Sequence, residues 1–308
     1  MDSSTMRRNP RVVLAGAVAL AAAGLLAIGA GSASSTAAGA SSTPDLRRLP
    51  LGDGKVTLAG PRRGWVWSCI PPNPNAPGAQ VDGPWIDKAN DVFDATAKTT
   101  VDGSVAWPQA KVSIRRTKDG VKVVANGLPT NRPTGVFPIG SGDDAFRYDH
   151  NPNAIRAQSV RWTLPRGARA SGASCVGLGA VGVALNGVAI YNALDGAGRD
   201  AVAHEALDVC SGHPQRSGEY HYHWMPPCIW QRQSATRQSS QYGWALDGYP
   251  IYGPRGPGGR LYTNADLDAC HGLTSTVTLG GRRVRTYHYV ATLEYPYTIG
   301  CFRGTPIR

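Results

Sequence analysis

The sequence contains an internal repeat, which constrains the fold more than any other feature. The motif Asn-Gly-Val-Ala-Ile-Tyr-Asn at 186–192 returns as Asp-Gly-Tyr-Pro-Ile-Tyr-Gly at 247–253. Each copy continues through the same landmarks in the same order: Leu-Asp before a cysteine, then Tyr-His-Tyr, then a final cysteine. Two copies, 185–228 and 246–301, are too few for a solenoid. The repeat therefore predicts a single main domain of two pseudo-symmetric halves.

Short apolar stretches between turn residues predict a mainly β fold with a few short helices. Examples are 121–125, 160–164 and 276–279, and the 38 glycines and 23 prolines interrupt the chain too often for long helices. Residues 201–210 are the best helix candidate. The Asn-Gly and Asp-Gly dipeptides near the start of the two copies are typical of hairpin turns.

Residues 1–40 have the layout of a secretory signal peptide. Three arginines precede a run of Ala, Leu, Val and Gly, and small residues with A-x-A-like cleavage points follow. The apolar run is close to the lower limit for a membrane span, so an uncleaved N-terminal anchor is the alternative. We divide the rest into an N-terminal extension and loop, 41–83, and a main domain, 84–308. Either alternative predicts a secreted or cell-envelope protein.

Cysteine usage agrees with export, because an even number of cysteines in an exported chain predicts disulfides. All six lie beyond the signal segment: Cys69, Cys175, Cys210, Cys228, Cys270 and Cys301. The repeat favours bonds within each copy, Cys210–Cys228 and Cys270–Cys301. Cys69–Cys175 would then join the extension to the main domain. The alternative links equivalent positions, Cys210 to Cys270 and Cys228 to Cys301.

Charge and motifs exclude several functional classes. Lys and Arg outnumber Asp and Glu by 32 to 21, a formal net charge of +11, but the basic residues are scattered. Scattered charge favours loose attraction to acidic surfaces over nucleic-acid recognition, so we expect a cell-envelope or extracellular partner. The sequence has no dinucleotide fingerprint, Walker loop, zincin helix or nucleophile elbow, and we expect no nucleotide cofactor. It indicates no oligomeric state.

The alternating Glu-Tyr-His-Tyr-His at 219–223 carries the best candidate site. On a strand, His221 and His223 project to the same face. His213 from a nearby loop and His288 from the second copy would complete a set of metal ligands. Imidazole suits copper or zinc, whereas calcium prefers oxygen ligands. The alternative is structural: the same rings packed in a core and satisfied by hydrogen bonds.

Acidic residues near the histidines leave a second function open. Glu205 and Glu219 lie close to them in sequence, and a carboxylate there could orient a histidine or act as a general base on a metal-bound water. That chemistry would make the protein a metal-dependent hydrolase of an extracellular polymer. Asp208 and Asp268, equivalent in the repeat, are more typical of hydrogen bonding in turns. A third alternative is a non-catalytic envelope interaction module with structural Tyr-His strands.

Several of these motifs together resemble a known family. Ser-Gly-His-Pro at 211–214, Gly-Glu-Tyr-His-Tyr-His at 218–223 and Gly-Trp-Ala-Leu-Asp-Gly-Tyr-Pro-Ile-Tyr-Gly at 243–253 resemble the YHYH domain family of exported proteins. The resemblance runs from about residue 84 to the C-terminus and implies export without implying a particular reaction. In the second copy Val290 stands where the family often has the last histidine, so a site should depend on the first copy.

Overall fold

The computed structural model describes residues 43–79, 81–165 and 172–307. These residues form one compact unit. The predicted signal peptide or anchor, 1–40, lies outside the described residues. Within the described ranges, no helix is long and apolar enough to cross a membrane.

The prediction of a mainly β fold with a few short helices is confirmed. The described residues form sixteen strands: β1 Leu49–Pro50, β2 Val56–Thr57, β3 Val66–Trp67, β4 Ile86–Asp87, β5 Val92–Phe93, β6 Val112–Arg116, β7 Gly120–Ala125, β8 Val160–Pro165, β9 Ala180–Ala184, β10 Ala189–Tyr191, β11 Gly212–Pro214, β12 Tyr220–Tyr222, β13 Gln241–Ala245, β14 Pro250–Tyr252, β15 Gly272–Leu279 and β16 Arg282–Val290. The helices are short: α1 Ala201–His204, α2 Pro227–Trp230 and the 3-10 turns Asp144–Arg147, Pro257–Gly259 and Asn264–Asp266.

An eight-stranded sheet forms the centre of the molecule, in the order β11-β12-β10-β9-β13-β14-β16-β15. Its two middle strands, β9 and β13, pair antiparallel. On one side, β9 pairs antiparallel with β10, which pairs parallel with β12, which pairs antiparallel with β11. On the other side β13, β14, β16 and β15 follow in the same directions. Strands that are equivalent in the sequence repeat therefore occupy equivalent places on either side of the β9–β13 pair.

The two predicted hairpin turns join the strands next to this centre. Asn186-Gly187 connects β9 to β10, and Asp247-Gly248 connects β13 to β14. Gly187 and Gly248 have φ values of 91° and 84°, a conformation that glycine adopts without a Cβ clash. The turn dipeptides therefore set the register of both hairpins.

Smaller sheets pack against the central one. The three-stranded sheet β6-β7-β8 covers the β9–β13 pair through an apolar layer that includes Val123, Leu164, Val183 and Trp244. A larger core cluster holds the fully buried tyrosines Tyr220, Tyr222, Tyr289 and Tyr297. Residues of the N-terminal extension, such as Leu49 and Val66, belong to this same cluster. The extension is thus packed into the core.

All six cysteines are paired, and the structure has the first of the two predicted arrangements. Cys210–Cys228 and Cys270–Cys301 each lie within one repeat copy. Cys69–Cys175 joins the N-terminal extension to the segment that precedes β9. Three disulfides are typical of proteins that fold outside the cytoplasm.

The predicted helix at 201–210 is shorter than expected. Asp200 caps it, since its carboxylate accepts hydrogen bonds from the backbone N–H groups of Val202 and Ala203. The helix ends at His204 because Glu205 has an extended backbone, with φ −82° and ψ 140°. The chain then turns at 208–212 towards β11, which brings Glu205 to the histidines of the first copy.

Candidate metal centre

The predicted Tyr-His strand lies near one edge of the central sheet. β12 pairs antiparallel with the outermost strand, β11, and His221 stands directly opposite His213 in this register. His223 follows β12 by one residue, so it projects to the same side as His221. The three imidazoles, each only 2–4% exposed, therefore lie side by side on one face of these two strands. We call His213, His221 and His223 the histidine cluster.

The distances within the histidine cluster have the scale of a metal site. His223 Nε2 lies 3.3 Å from His213 Nε2 and 3.1 Å from His221 Nε2. One ligand atom from each of the three residues lies within 4.8 Å of the others. Nitrogen ligands at 2.0–2.1 Å from a tetrahedral zinc ion are separated by about 3.3 Å. The rings are therefore already spaced to hold a transition-metal ion.

Backbone carbonyls determine which ring nitrogens of the cluster are free. His221 Nδ1 lies 3.1 Å from Glu219 O, and His223 Nδ1 lies 2.6 Å from Asn192 O. A carbonyl oxygen can only accept, so both Nδ1 atoms carry the proton and donate. In the neutral rings both Nε2 atoms then present a lone pair. Two lone pairs at 3.1 Å repel each other unless a cation or a proton lies beside them.

A carboxylate completes the constellation. Glu205 Oε2 lies 3.2 Å from His213 Nε2 and 3.2 Å from His223 Nε2. This oxygen is buried, and its contacts with the two imidazole nitrogens are short but without good hydrogen-bond geometry. Four donor atoms, three nitrogens and one oxygen, therefore converge around His223 Nε2. The proximity of Glu205 in sequence was the only signal for it, because no ligand-spacing motif includes this residue.

The electrostatics of the centre follow from burial and from these close contacts. Burial alone would raise the pKa of Glu205, but His213 and His223 outweigh it and hold the pKa well below its usual value. Burial would lower the pKa of His213, but the Glu205 carboxylate reverses this and raises it. For His221, burial and the two neighbouring histidines act together and lower the pKa well below its usual value. The site thus keeps an anionic carboxylate and a neutral, ligand-ready imidazole.

The four donors lie in the wall of a cleft of about 700 Å³, which a solute can enter. The ring of Tyr191 stacks on His221 with centroids 3.8 Å apart, and its hydroxyl donates to Glu219 Oε2 at 2.6 Å. Asp149, buried in the same wall, accepts a hydrogen bond from the N–H of Ala206, and burial raises the pKa of this carboxyl. The cleft therefore offers a protonatable acid near the histidine cluster.

The prediction that His288 belongs to this set is wrong. His288 lies on β16, and four strands separate it from β12 in the sheet, roughly 24 Å at the usual strand spacing. Its Nδ1 lies 3.3 Å from Thr286 O. The repeat makes His288 equivalent to His221, but equivalent strands lie on opposite sides of the β9–β13 pair. Equivalence in the repeat therefore keeps the two residues apart.

The second copy preserves the scaffold of the site but keeps only one of its three histidines. Leu273 faces His288 where His213 faces His221, and Val290 stands in the position of His223. These two residues pack in an apolar cluster with Tyr262 and Leu267. The same strands thus form with apolar side chains in place of two histidines. The fold itself does not require a histidine cluster.

The aspartates that the repeat makes equivalent have structural roles in both copies. Asp208 accepts hydrogen bonds from the hydroxyl of Tyr220 and from the backbone N–H groups of Cys210 and Gly212. Asp268 accepts from the hydroxyl of Tyr287 and from equivalent backbone groups. Neither carboxylate belongs to the metal centre. Both hold the turn before the outer strand.

Fold and site together define a mainly β domain with a metal-sized histidine cluster at the edge of its central sheet. Residues 161–260 match the family model described as YHYH protein, which confirms the expected resemblance over this segment. The match is narrower than the resemblance expected over 84–308. It includes the whole histidine cluster and Glu205, and it ends before His288. No curated protein and no solved structure matches the chain.

Proposed function

We propose that this protein binds a transition-metal ion, copper or zinc, through His213, His221 and His223. The observation that carries the proposal is the convergence of three buried Nε2 atoms, two of them lone-pair donors 3.1 Å apart. Buried acceptors without donors between them cost free energy in any fold. A bound cation would offset this cost, because the lone pairs would then form coordination bonds.

The second copy supports this proposal over the structural alternative. If the rings served only to fill the core, the equivalent positions should need similar side chains. Leu273 and Val290 fill them instead, within an apolar cluster. An apolar solution is therefore open to this scaffold, and the polar set in the first copy needs another reason. Metal binding supplies one.

We further propose that the protein acts outside the cytoplasm, where an envelope or extracellular component would be its partner. The signal-like segment 1–40 and the three disulfides support this location. Oxidising surroundings also suit a centre of imidazole ligands, since none of the six cysteines competes for the metal as a free thiol.

Elemental analysis of the purified, untagged protein tests the proposal. We expect close to one equivalent of copper or zinc per chain in the wild type. His221→Ala and His223→Ala should each lose it, while His288→Ala should retain it. His288 is the matched control because it is the counterpart of His221 in the second copy. A wild-type protein that neither contains metal nor melts at a higher temperature when copper or zinc is added would refute metal binding.

A second candidate function, metal-dependent hydrolysis of an extracellular polymer, is favoured by the cleft and by Asp149. A metal ion lowers the pKa of a bound water, and a carboxyl in the same wall could move its proton. In this case Asp149→Asn should keep the metal and lose hydrolysis of cell-wall or other extracellular polymers. Undiminished hydrolysis in that variant would count against this role.

A further inference from the structure

We infer that Glu205 is a fourth metal ligand and that the N-terminal extension, through Asp53 and Asp82, holds this ligand in place. The inference rests on the proposed metal binding at the histidine cluster. It makes the extension a working part of the metal centre, although residues 41–83 lie far from the histidines in sequence.

The position of Glu205 Oε2 supports its role as a ligand. The oxygen lies 3.2 Å from two of the Nε2 atoms, close to the 3.3 Å that separates those nitrogens from each other. It is buried, and among the described residues no hydrogen bond of good geometry satisfies it. A buried carboxylate oxygen at this distance from two imidazole nitrogens is in the place of a further ligand, and a metal ion bound to the three nitrogens would lie within its reach.

Helix α1 determines where Glu205 points, because Glu205 is the residue that directly follows it. His204, the last residue of α1, is 2% exposed and lies between two carboxylates of the extension. Its Nε2 is 2.9 Å from Asp53 Oδ2, and its Nδ1 is 3.0 Å from Asp82 Oδ1. The Nε2 contact with Asp53 has hydrogen-bond geometry, whereas the Nδ1 contact with Asp82 is a close approach of the two groups, so Asp53 is the main partner that orients the ring.

Asp53 contacts the start of the same helix as well as its end. Asp53 Oδ1 accepts a hydrogen bond from the backbone N–H of Asp200, the residue that caps α1, at 3.0 Å. Asp200 Oδ2 in turn accepts one from the N–H of Gly52 at 2.9 Å. A one-turn helix has little stability of its own, so these contacts fix its place and direction. The Cys69–Cys175 bond ties the extension to the main domain.

A carboxylate ligand also affects which ion the centre prefers. Three neutral imidazoles suit copper in either oxidation state as well as zinc, whereas an anionic oxygen favours divalent ions over the softer Cu(I). We therefore expect Glu205 to contribute to the affinity for Zn²⁺ and Cu²⁺ more than to the affinity for Cu⁺. That difference separates a ligand from a residue that only supports the fold.

The test is a zinc competition titration against a chromophoric chelator, with zinc chloride as the only added ligand. Glu205→Gln keeps the size of the side chain and should weaken Zn²⁺ binding by roughly 10- to 100-fold, with a smaller change for Cu⁺. Glu219→Gln is the matched control, because Glu219 lies beside the cluster and bonds Tyr191 instead of facing the Nε2 atoms. It should leave the zinc affinity within a few-fold of wild type.

A double-mutant comparison tests the role of the extension. Asp53→Asn alone should weaken Zn²⁺ binding by about tenfold, and it should have little further effect in a Glu205→Gln background. An equal loss in both backgrounds would overturn the positioning role, since the aspartate would then act through general stability. Full zinc affinity in Glu205→Gln would overturn the ligand role while leaving the histidine cluster intact. A wild type without zinc affinity would instead refute the proposed function itself.

Discussion

The second copy of the repeat specifies a variant that separates the metal centre from the fold. The triple change Glu205→Ala, His213→Leu and His223→Val copies Ala265, Leu273 and Val290 into the equivalent positions. His221 remains, as His288 does in the second copy. Because Glu205 is removed together with its partners, the variant does not leave the Glu205 carboxylate buried without them.

The triple variant should be at least as stable as the wild type without metal and less stable than it with metal. In the metal-free wild type, the converging buried donors are imperfectly paired, and replacing buried ionic groups by apolar ones is neutral or stabilising by about 1–4 kcal/mol. With zinc at 100 times its dissociation constant, the wild type should gain about 2.7 kcal/mol. For a domain of this size that gain raises the melting temperature by about 5–10 °C. The triple variant should gain nothing.

Thermal unfolding in chelator and in zinc chloride measures both effects. We expect the metal-free variant to melt at or above the temperature of the metal-free wild type. We also expect zinc to raise the melting temperature of the wild type alone. A variant that melts far below the metal-free wild type would show that the histidines stabilise the fold, and the comparison of the two copies would fail.

Two further predictions use the disulfides and a buried acid. Changing Cys210 and Cys228 to Ser should lower the free energy of unfolding in urea by about 3 kcal/mol and weaken zinc binding, because this disulfide encloses the histidine cluster. The same change at Cys270 and Cys301 should cost similar stability and leave the zinc affinity unaltered. Equal zinc affinities in the two variants would contradict this prediction. Burial raises the pKa of Asp200 to about 6, so the folded protein holds a proton on this residue that the unfolded chain loses near pH 4. The free energy of unfolding should therefore fall by on the order of 3 kcal/mol as the pH rises from about 4 through 6. In the metal-free triple variant, adding Asp200→Asn should make the free energy of unfolding nearly independent of pH between 4 and 7. An unchanged pH dependence would show that Asp200 is not its source.

Local pattern was enough to predict most of the fold. The apolar runs at 121–125 and 160–164 correspond to strands β7 and β8, and the two hairpin turns follow from their glycines. These features depend on neighbouring residues, which the sequence states directly. The length of α1 was wrong, because the extended backbone at Glu205 depends on contacts with distant parts of the chain.

The site shows the same limit more clearly. His221 and His223 could be placed on one face of a strand, and His213 lies opposite because of a short connection. His288 was misplaced because the repeat reveals equivalence, whereas proximity depends on strand order. Glu205 was named only as a neighbour of the histidines, since nothing in its spacing shows that the chain turns back after α1. The position of Glu205 depends on contacts between residues distant in sequence, such as that of Asp53 with α1, and such contacts cannot be read from local pattern.

The antiparallel pairing of β9 with β13 has a consequence for what one copy could do alone. Within the described part of the chain, these two strands are the inner edges of two four-stranded units. A fragment with a single unit would expose that edge, together with Val183 or Trp244, to any other strand in solution. Linking both units in one chain keeps the matching edge at a high local concentration. The duplication thus keeps β9 paired with β13 at any protein concentration, whereas a dimer of single copies would dissociate on dilution.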